Sequence, residues 1–186
     1  MEVEQYLRES IQAMNKILDF EQDIEALGQS IWERLERSGT IYWFGNGGSA
    51  GDAQHLATEL VGKFSRKRRP LKSHALTTNT SLLTALSNDD GYETVFSRQI
   101  EAFVGKDDVV IGISTSGESK SVIKALEKAK SRGALVVGLT GMAQNEMALF
   151  CEYTFHAPSE VTGVIQQMHI TFGQALCLSL ENKVEH

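Results

Sequence analysis

From about residue 6 to residue 37, apolar side chains recur at helical spacing: Leu7, Ile11, Met14, Ile17, Leu18, Ile24, Leu27, Ile31 and Leu35. That period predicts one long or two shorter amphipathic helices, whose apolar stripe needs a partner in the sheet or on another subunit. Ser38-Gly39 stops the helix. The pattern then changes: Thr40-Ile41-Tyr42-Trp43-Phe44 is a run of β-branched and aromatic residues that ends in Gly45-Asn46-Gly47-Gly48, with Ser49 placed to cap an apolar-periodic run reaching Leu60. Strand, tight loop and helix are predicted in that order.

Downstream, residues 73–78 read as a short strand, Asn79 caps a helix through Leu86, and Ser87-Asn88-Asp89-Asp90-Gly91 breaks it with turn chemistry. Residues 93–104 are again helical. The run 109–113 is apolar throughout, as in a strand buried on both faces, and is followed by Ser114-Thr115-Ser116-Gly117-Glu118-Ser119 and a helix with Val122, Ile123, Leu126 and Ala129 inward. Residues 134–140 form the next strand, 142–150 a short helix and 153–156 a last short strand. A long helix from 159 to about 182 closes the chain. Gln166, His169 and Gln174 interrupt its apolar face, and polar residues so placed usually satisfy nearby backbone groups or face an interface. Strands and helices alternating in this way predict an α/β fold, a doubly wound parallel sheet flanked by helices with long N- and C-terminal helices, and ligands outside the carboxyl ends of the strands.

Composition narrows the class. With 186 residues, 41% hydrophobic and 23% charged, the chain reads as one globular domain, 1–186, with 1–37 as an N-terminal helical segment. A net charge of −6 gives no general field for nucleic acid or an anionic membrane. The basic run Ser65-Arg66-Lys67-Arg68-Arg69-Pro70 is accordingly read as a solvated loop. Cys151 and Cys177 are too far apart for a CxxC motif, no apolar stretch has the length of a membrane span, and the first residues lack an apolar export core. A cytoplasmic location is expected.

Two loops carry candidate chemistry. Glycines let a backbone approach a ligand, and free N–H groups at a helix N-terminus attract anions, so the loop 45–49 suits a phosphate or sugar phosphate. The loop 114–119 offers four hydroxyls in six residues, more than a helix cap needs, and could donate to the same phosphate. His55 and Glu59 are four residues apart and project from one helix face, as a proton-transfer base or a metal-ligand pair would. The glycine loop is neither GxxxxGK[ST] nor a full GxGxxG, so by itself it also fits a plain strand-to-helix turn. Asn88 and Asp89 by themselves read as turn formers.

The order of motifs is more specific than any one of them. Gly45-Asn46-Gly47-Gly48-Ser49 with Asp52-Ala53-Gln54-His55 and Glu59, then Ser87-Asn88-Asp89, Phe96-Ser97-Arg98, Gly112-Ile113-Ser114-Thr115-Ser116-Gly117 with Ser119, and Ile165-Gln166-Gln167-Met168-His169-Ile170 together resemble the phosphoheptose isomerases of the sugar isomerase (SIS) superfamily, over nearly the whole chain. The resemblance implies a flavodoxin-like SIS domain, a homotetramer with active sites at subunit interfaces, and conversion of sedoheptulose 7-phosphate into D-glycero-D-manno-heptose 7-phosphate. It implies that Asn46, Gly47, Gly48, Ser49, Ser114, Thr115, Ser116 and Ser119 hold the sugar phosphate, with Asn88 and Asp89 near the sugar. It makes Glu59 the acid/base and His55, Glu59 and Gln166 zinc ligands, Gln166 also lying at the substrate.

Four positions depart from the family. Gln174 stands where these isomerases carry a histidine that completes the metal site and acts as second acid/base; glutamine shuttles no proton, and its amide oxygen is a poorer zinc ligand than imidazole. The family's Asp-Arg pair before the glutamine is Gly163-Val164, and its Arg after the glutamate helix is Lys63. His169 matches a family histidine and so is no replacement. Two other readings stand beside the isomerase: a non-catalytic scaffold similar to the replication-initiator-associating SIS proteins, favoured by Gln174 but not by the intact Glu59 and loops, and a sugar-phosphate sensing domain, which lacks a DNA-binding region here.

Overall fold

The computed structural model describes residues 1–142 and 144–185. Five parallel strands, β1 (Ile41–Gly45), β2 (Ser73–Ala75), β3 (Val109–Ser114), β4 (Leu135–Gly141) and β5 (Tyr153–Ala157), lie in the order β2-β1-β3-β4-β5. The seven α-helices among the described residues are α1 (Val3–Asn15), α2 (Glu21–Glu36), α3 (Gly48–Val61), α4 (Thr80–Asp89), α5 (Ser97–Phe103), α6 (Lys120–Ser131) and α7 (Thr162–Lys183). Successive residues of a strand face opposite sides. Ile41, Trp43, Ile111, Ile113, Val137 and Leu139 therefore join one core with residues of α1, α2, α3 and α7, while Phe44, Val110 and Val136 join another with residues of α5 and α6. Both faces are covered, which is why β3 and β4 read as unbroken apolar runs.

The N-terminal segment is two helices joined by a 3-10 turn, Lys16–Phe20. Ser38, at φ +71°, takes the left-handed position that ends α2. The predicted helix 93–104 is split into a 3-10 turn, Tyr92–Thr94, and α5. That predicted over 142–150 is a 3-10 turn, Glu146–Phe150, and residue 143 lies outside the described residues. α7 begins at Thr162, later than expected, because Ser159 is used otherwise: its hydroxyl donates to Glu9 and accepts from the Val161 N–H.

The basic run is not a solvated loop. Arg66 and Arg68 fold inward onto Glu181 and the ends of α3 and α7, and only Lys67 and Arg69 of its four cations stay exposed. The acidic net charge said nothing about the one carboxylate, more than a hundred residues away, that receives them.

In this strand order the chain reverses direction between β1 and β3, and Gly45 is in register with Ile113. Ligands of open α/β sheets bind in the crevice at that switch point. Both loops singled out by their composition sit there.

Candidate active site

β1 delivers the first half. Gly47 turns at φ +56°, a conformation that residues with a Cβ rarely adopt, and α3 starts at the next residue. Gly47 is the cap position and makes no side-chain hydrogen bond, while Ser49 is buried inside the first turn. Ser49 is thus not the cap its position suggested. The cap residue thus satisfies none of this helix's first N–H groups with a side chain, and backbone N–H groups at a helix N-terminus favour an anion.

β3 delivers the second half. The Gly117 N–H donates to Ser114 Oγ at 3.2 Å and the Glu118 N–H to Ser116 Oγ at 3.2 Å, so the hydroxyls hold the loop in shape. Ser114 is buried at the strand end, Thr115 and Ser119 are half-buried, and Ser116 is exposed. Asn46 joins the halves: its Nδ2 donates to Ser119 Oγ at 2.8 Å and Ser121 Oγ at 3.0 Å. Its Oδ1 accepts from the Tyr92 hydroxyl at 2.7 Å. Asn88 donates to Asp89 at 2.8 Å on the exposed end of α4, and Tyr92, just beyond them, makes the hydrogen bond to Asn46 of the first loop.

The chemistry-bearing side chains lie along α3 and α7, which run side by side in the same direction, with Leu56 packed on Gly173. His55 Nε2 and Glu59 Oε1 are 2.9 Å apart, the imidazole half exposed and the carboxylate only 18% exposed. On α7, the Gln166 amide fills the space above Gly48 and reaches the Asp52 carboxyl. Burial raises the pKa of Asp52 above the ordinary carboxylate value, with His55 and the Gln166 hydrogen bond pulling it back. Its Oδ2 is buried without a hydrogen-bond partner among the described residues. Gln174, half-buried on α7 about 12 Å beyond Gln166 along the helix axis, is hydrogen-bonded to neither His55 nor Glu59 among the described residues.

The donors present do not make a zinc site of the usual kind. Zinc prefers thiolate, imidazole and carboxylate ligands, three or four to a site. Here one imidazole and one carboxylate are hydrogen-bonded to each other, and among the described residues no three His, Cys, Asp or Glu side chains are grouped to hold a metal.

Sequence reasoning quoted Asp52 within a motif but gave it no role, and passed over Tyr92 and Ser121. Asp52 was findable, three residues before His55 on the same helix face. Tyr92 and Ser121 carry no local signal, since each acts through Asn46 far away in the chain.

The family profile described as SIS domain matches residues 5–141. The phosphoheptose isomerase of Aquifex aeolicus is 46% identical over 183 residues, 98% of this chain and 96% of the relative. The chain belongs to the phosphoheptose isomerase family. The family member from Aneurinibacillus thermoaerophilus is 43% identical over 98% of this chain and 93% of its own. The solved phosphoheptose isomerase of Neisseria gonorrhoeae superposes with a TM-score of 0.89 at 36% identity, covering 97% of each chain. Within the family, the Gly163-Val164 departure has a structural reading. Tyr6 Oη sits 2.9 Å from where a Gly163 Cβ would be and accepts a hydrogen bond from Gln167 at 2.9 Å, while Val164 is buried in the core. Tyr6 of α1 thus packs against the backbone at Gly163.

Proposed function

We propose that the protein interconverts sedoheptulose 7-phosphate and D-glycero-D-manno-heptose 7-phosphate. The observation that carries this reading is the pair of hydroxyl- and glycine-rich loops at one switch point, beside a helix bearing a hydrogen-bonded His–Glu pair, in a chain whose relatives are named phosphoheptose isomerases. The loops at Asn46–Ser49 and Ser114–Ser119 anchor the phosphate and so position the other end of the sugar. Glu59 takes the proton from C1 of the ketose; the resulting enediol is protonated at C2, giving the aldose. Proton exchange between the two oxygens passes through water or substrate hydroxyls, because Gln174 shuttles none.

Three further parts belong to this proposal. Zinc is a weak occupant, with His55 and Glu59 supplying the good ligands and Gln166 and Gln174 only amide oxygens. The working assembly is a homotetramer, supported by the exposed apolar residues Val3, Leu7, Ile11 and Leu18 of the N-terminal segment. The location is cytoplasmic; no helix among the described residues is long and apolar enough to cross a membrane.

The deciding experiment incubates purified protein with sedoheptulose 7-phosphate and a panel of other ketose phosphates in heavy water and identifies products by NMR. Aldose appearing with deuterium at C2 is expected. Gln174 favours one competitor, the binding scaffold. Sugar-phosphate binding without turnover of any ketose would establish that scaffold in place of the isomerase.

A further inference from the structure

We propose that the buried Arg68–Glu181 pair is the positioning element for Glu59, an inference that rests on the isomerase reading and extends it to residues outside the site. α3 ends at Val61, and an α-helix leaves its last carbonyls without partners. Arg68 supplies them: Nη2 donates to the Glu59 carbonyl oxygen at 2.7 Å, and Nη1 donates to the carbonyls of Leu60 at 2.8 Å and Gly62 at 3.1 Å. One guanidinium therefore closes the helical turn from which the Glu59 carboxylate projects.

Glu181 supplies the counter-charge to that guanidinium. Its Oε1 lies 3.3 Å from Arg68 Nε as an ion pair without a directed hydrogen bond among the described residues, and the two side chains are 0% and 1% exposed. The same carboxylate accepts the N–H groups of Phe64 at 3.0 Å, Ser65 at 2.8 Å and Arg66 at 3.1 Å, together with the Ser65 hydroxyl at 2.6 Å. Arg66 Nη2 in turn donates to the carbonyls of Glu181 at 2.7 Å and Val184 at 2.8 Å, closing the end of α7. Glu181 stands on the helix that carries Gln166 and Gln174. The strap 62–70 thus ties the far ends of the two site helices together, with Glu59's own backbone as one attachment point.

Holding a loop does not require this arrangement, because apolar residues of similar volume usually stabilise as well as a buried ion pair does. What the pair adds is direction: a planar fork with its donors fixed toward four carbonyls, those of Glu59, Leu60, Gly62 and Arg69, beside a carboxylate that is itself held by the 64–66 N–H groups. A small misplacement of a catalytic group lowers turnover far more than it lowers binding. The phosphate loops lie at the opposite end of α3, so their grip on the substrate is untouched.

The test uses the full-length chain carrying Arg68→Met with Glu181→Gln, which removes both charges together and leaves an acceptor for the 64–66 N–H groups. A second variant, Arg68→Lys, keeps the ion pair but lacks the fork. In whichever variant retains the wild-type circular dichroism spectrum, kcat is expected to fall by about tenfold or more with KM for sedoheptulose 7-phosphate within about threefold. A smaller fall in kcat, or a loss carried by KM, overturns the inference. If the wild-type protein turns over no ketose phosphate, the isomerase reading fails by itself and amide hydrogen exchange at residues 59–63 decides this one. Faster exchange in Arg68→Lys supports the clasp, and unchanged exchange overturns it.

Discussion

The Gln166 side chain occupies the space that any side chain on Gly48 would need. A Cβ at Gly48 would fall closer to the Gln166 amide than packed atoms allow, and the obstructing atoms are the far end of a flexible side chain. Gly48→Ala is therefore expected to move Gln166 while leaving the fold intact, with stability within about 1 kcal/mol of wild type, since alanine suits a helix better than glycine. Turnover should fall by about tenfold or more, because the displaced amide also releases Asp52. Steady-state kinetics beside a urea melt check this; a fully active variant would remove Gln166 from the site.

The two loops make a prediction about binding. Replacing Ser114 and Ser116 together by alanine removes hydroxyls that accept from the Gly117 and Glu118 N–H groups and that face the proposed phosphate. Each lost hydrogen bond to a charged group costs about 1.5–3 kcal/mol, so sugar-phosphate affinity should weaken by at least about tenfold. Calorimetry with unchanged affinity would mean that the phosphate sits elsewhere.

Glu59 and Gln174 separate the proton-transfer step from the metal. Glu59→Gln should lower kcat by about 10²–10⁴ while the His55–Glu59 hydrogen bond can still form. Gln174→His replaces an amide by an imidazole and should tighten zinc binding. Metal titration of the wild-type and Gln174→His proteins, with isomerase assays in parallel, reads both effects, and equal zinc affinity of the two would place residue 174 outside any metal site.

Stability should fall with acid in two separate windows. His169 is buried against Phe155, with Nε2 3.0 Å from the Thr140 carbonyl oxygen and Nδ1 without a partner, and burial lowers its pKa to about 4. The unfolded chain binds this proton more readily than the folded one, so the contribution is full above pH about 6.5 and is lost as pH falls toward 4, amounting to about 3 kcal/mol. Glu181 behaves differently. Burial pushes its carboxyl up, but the hydrogen bonds from Ser65, Phe64 and Arg66 outweigh that and hold it at about 2. Its contribution is present above the ordinary value of about 4.5 and disappears as pH falls toward 2. Urea midpoints measured from pH 7 to pH 3 check this, and His169→Gln should flatten the upper window only.

The sheet and both loops were legible because their signals are local. Ile41 to Phe44 alternate between two cores and end in glycines, and residues 109–113 are apolar on both faces. The start of α3 was misplaced at Ser49 because a serine beside glycines looks like a cap, whereas Gly47 alone takes the required turn. Arg68 and Glu181 were illegible for another reason. Their meaning depends on a partner more than a hundred positions away, and charge in a sequence window indicates solvent unless that partner is known. Asn88 and Asp89 owe their place near the sugar to motif order alone; in the fold they are hydrogen-bonded to each other on an exposed helix end.

The strand order also governs how the molecule comes into being. β1 lies between β2 and β3, and its register with Val109 to Ile113 closes a loop of more than sixty residues before any of those pairings forms. Loop-closure entropy opposes that step, and chains dominated by such distant pairings fold more slowly than helical bundles of the same size. The two loops proposed to anchor the phosphate are the ends of those same strands. On that proposal, capacity to bind phosphate arises with the central sheet itself, and a phosphate ligand present during refolding favours the correctly registered chain over every collapsed form that lacks it.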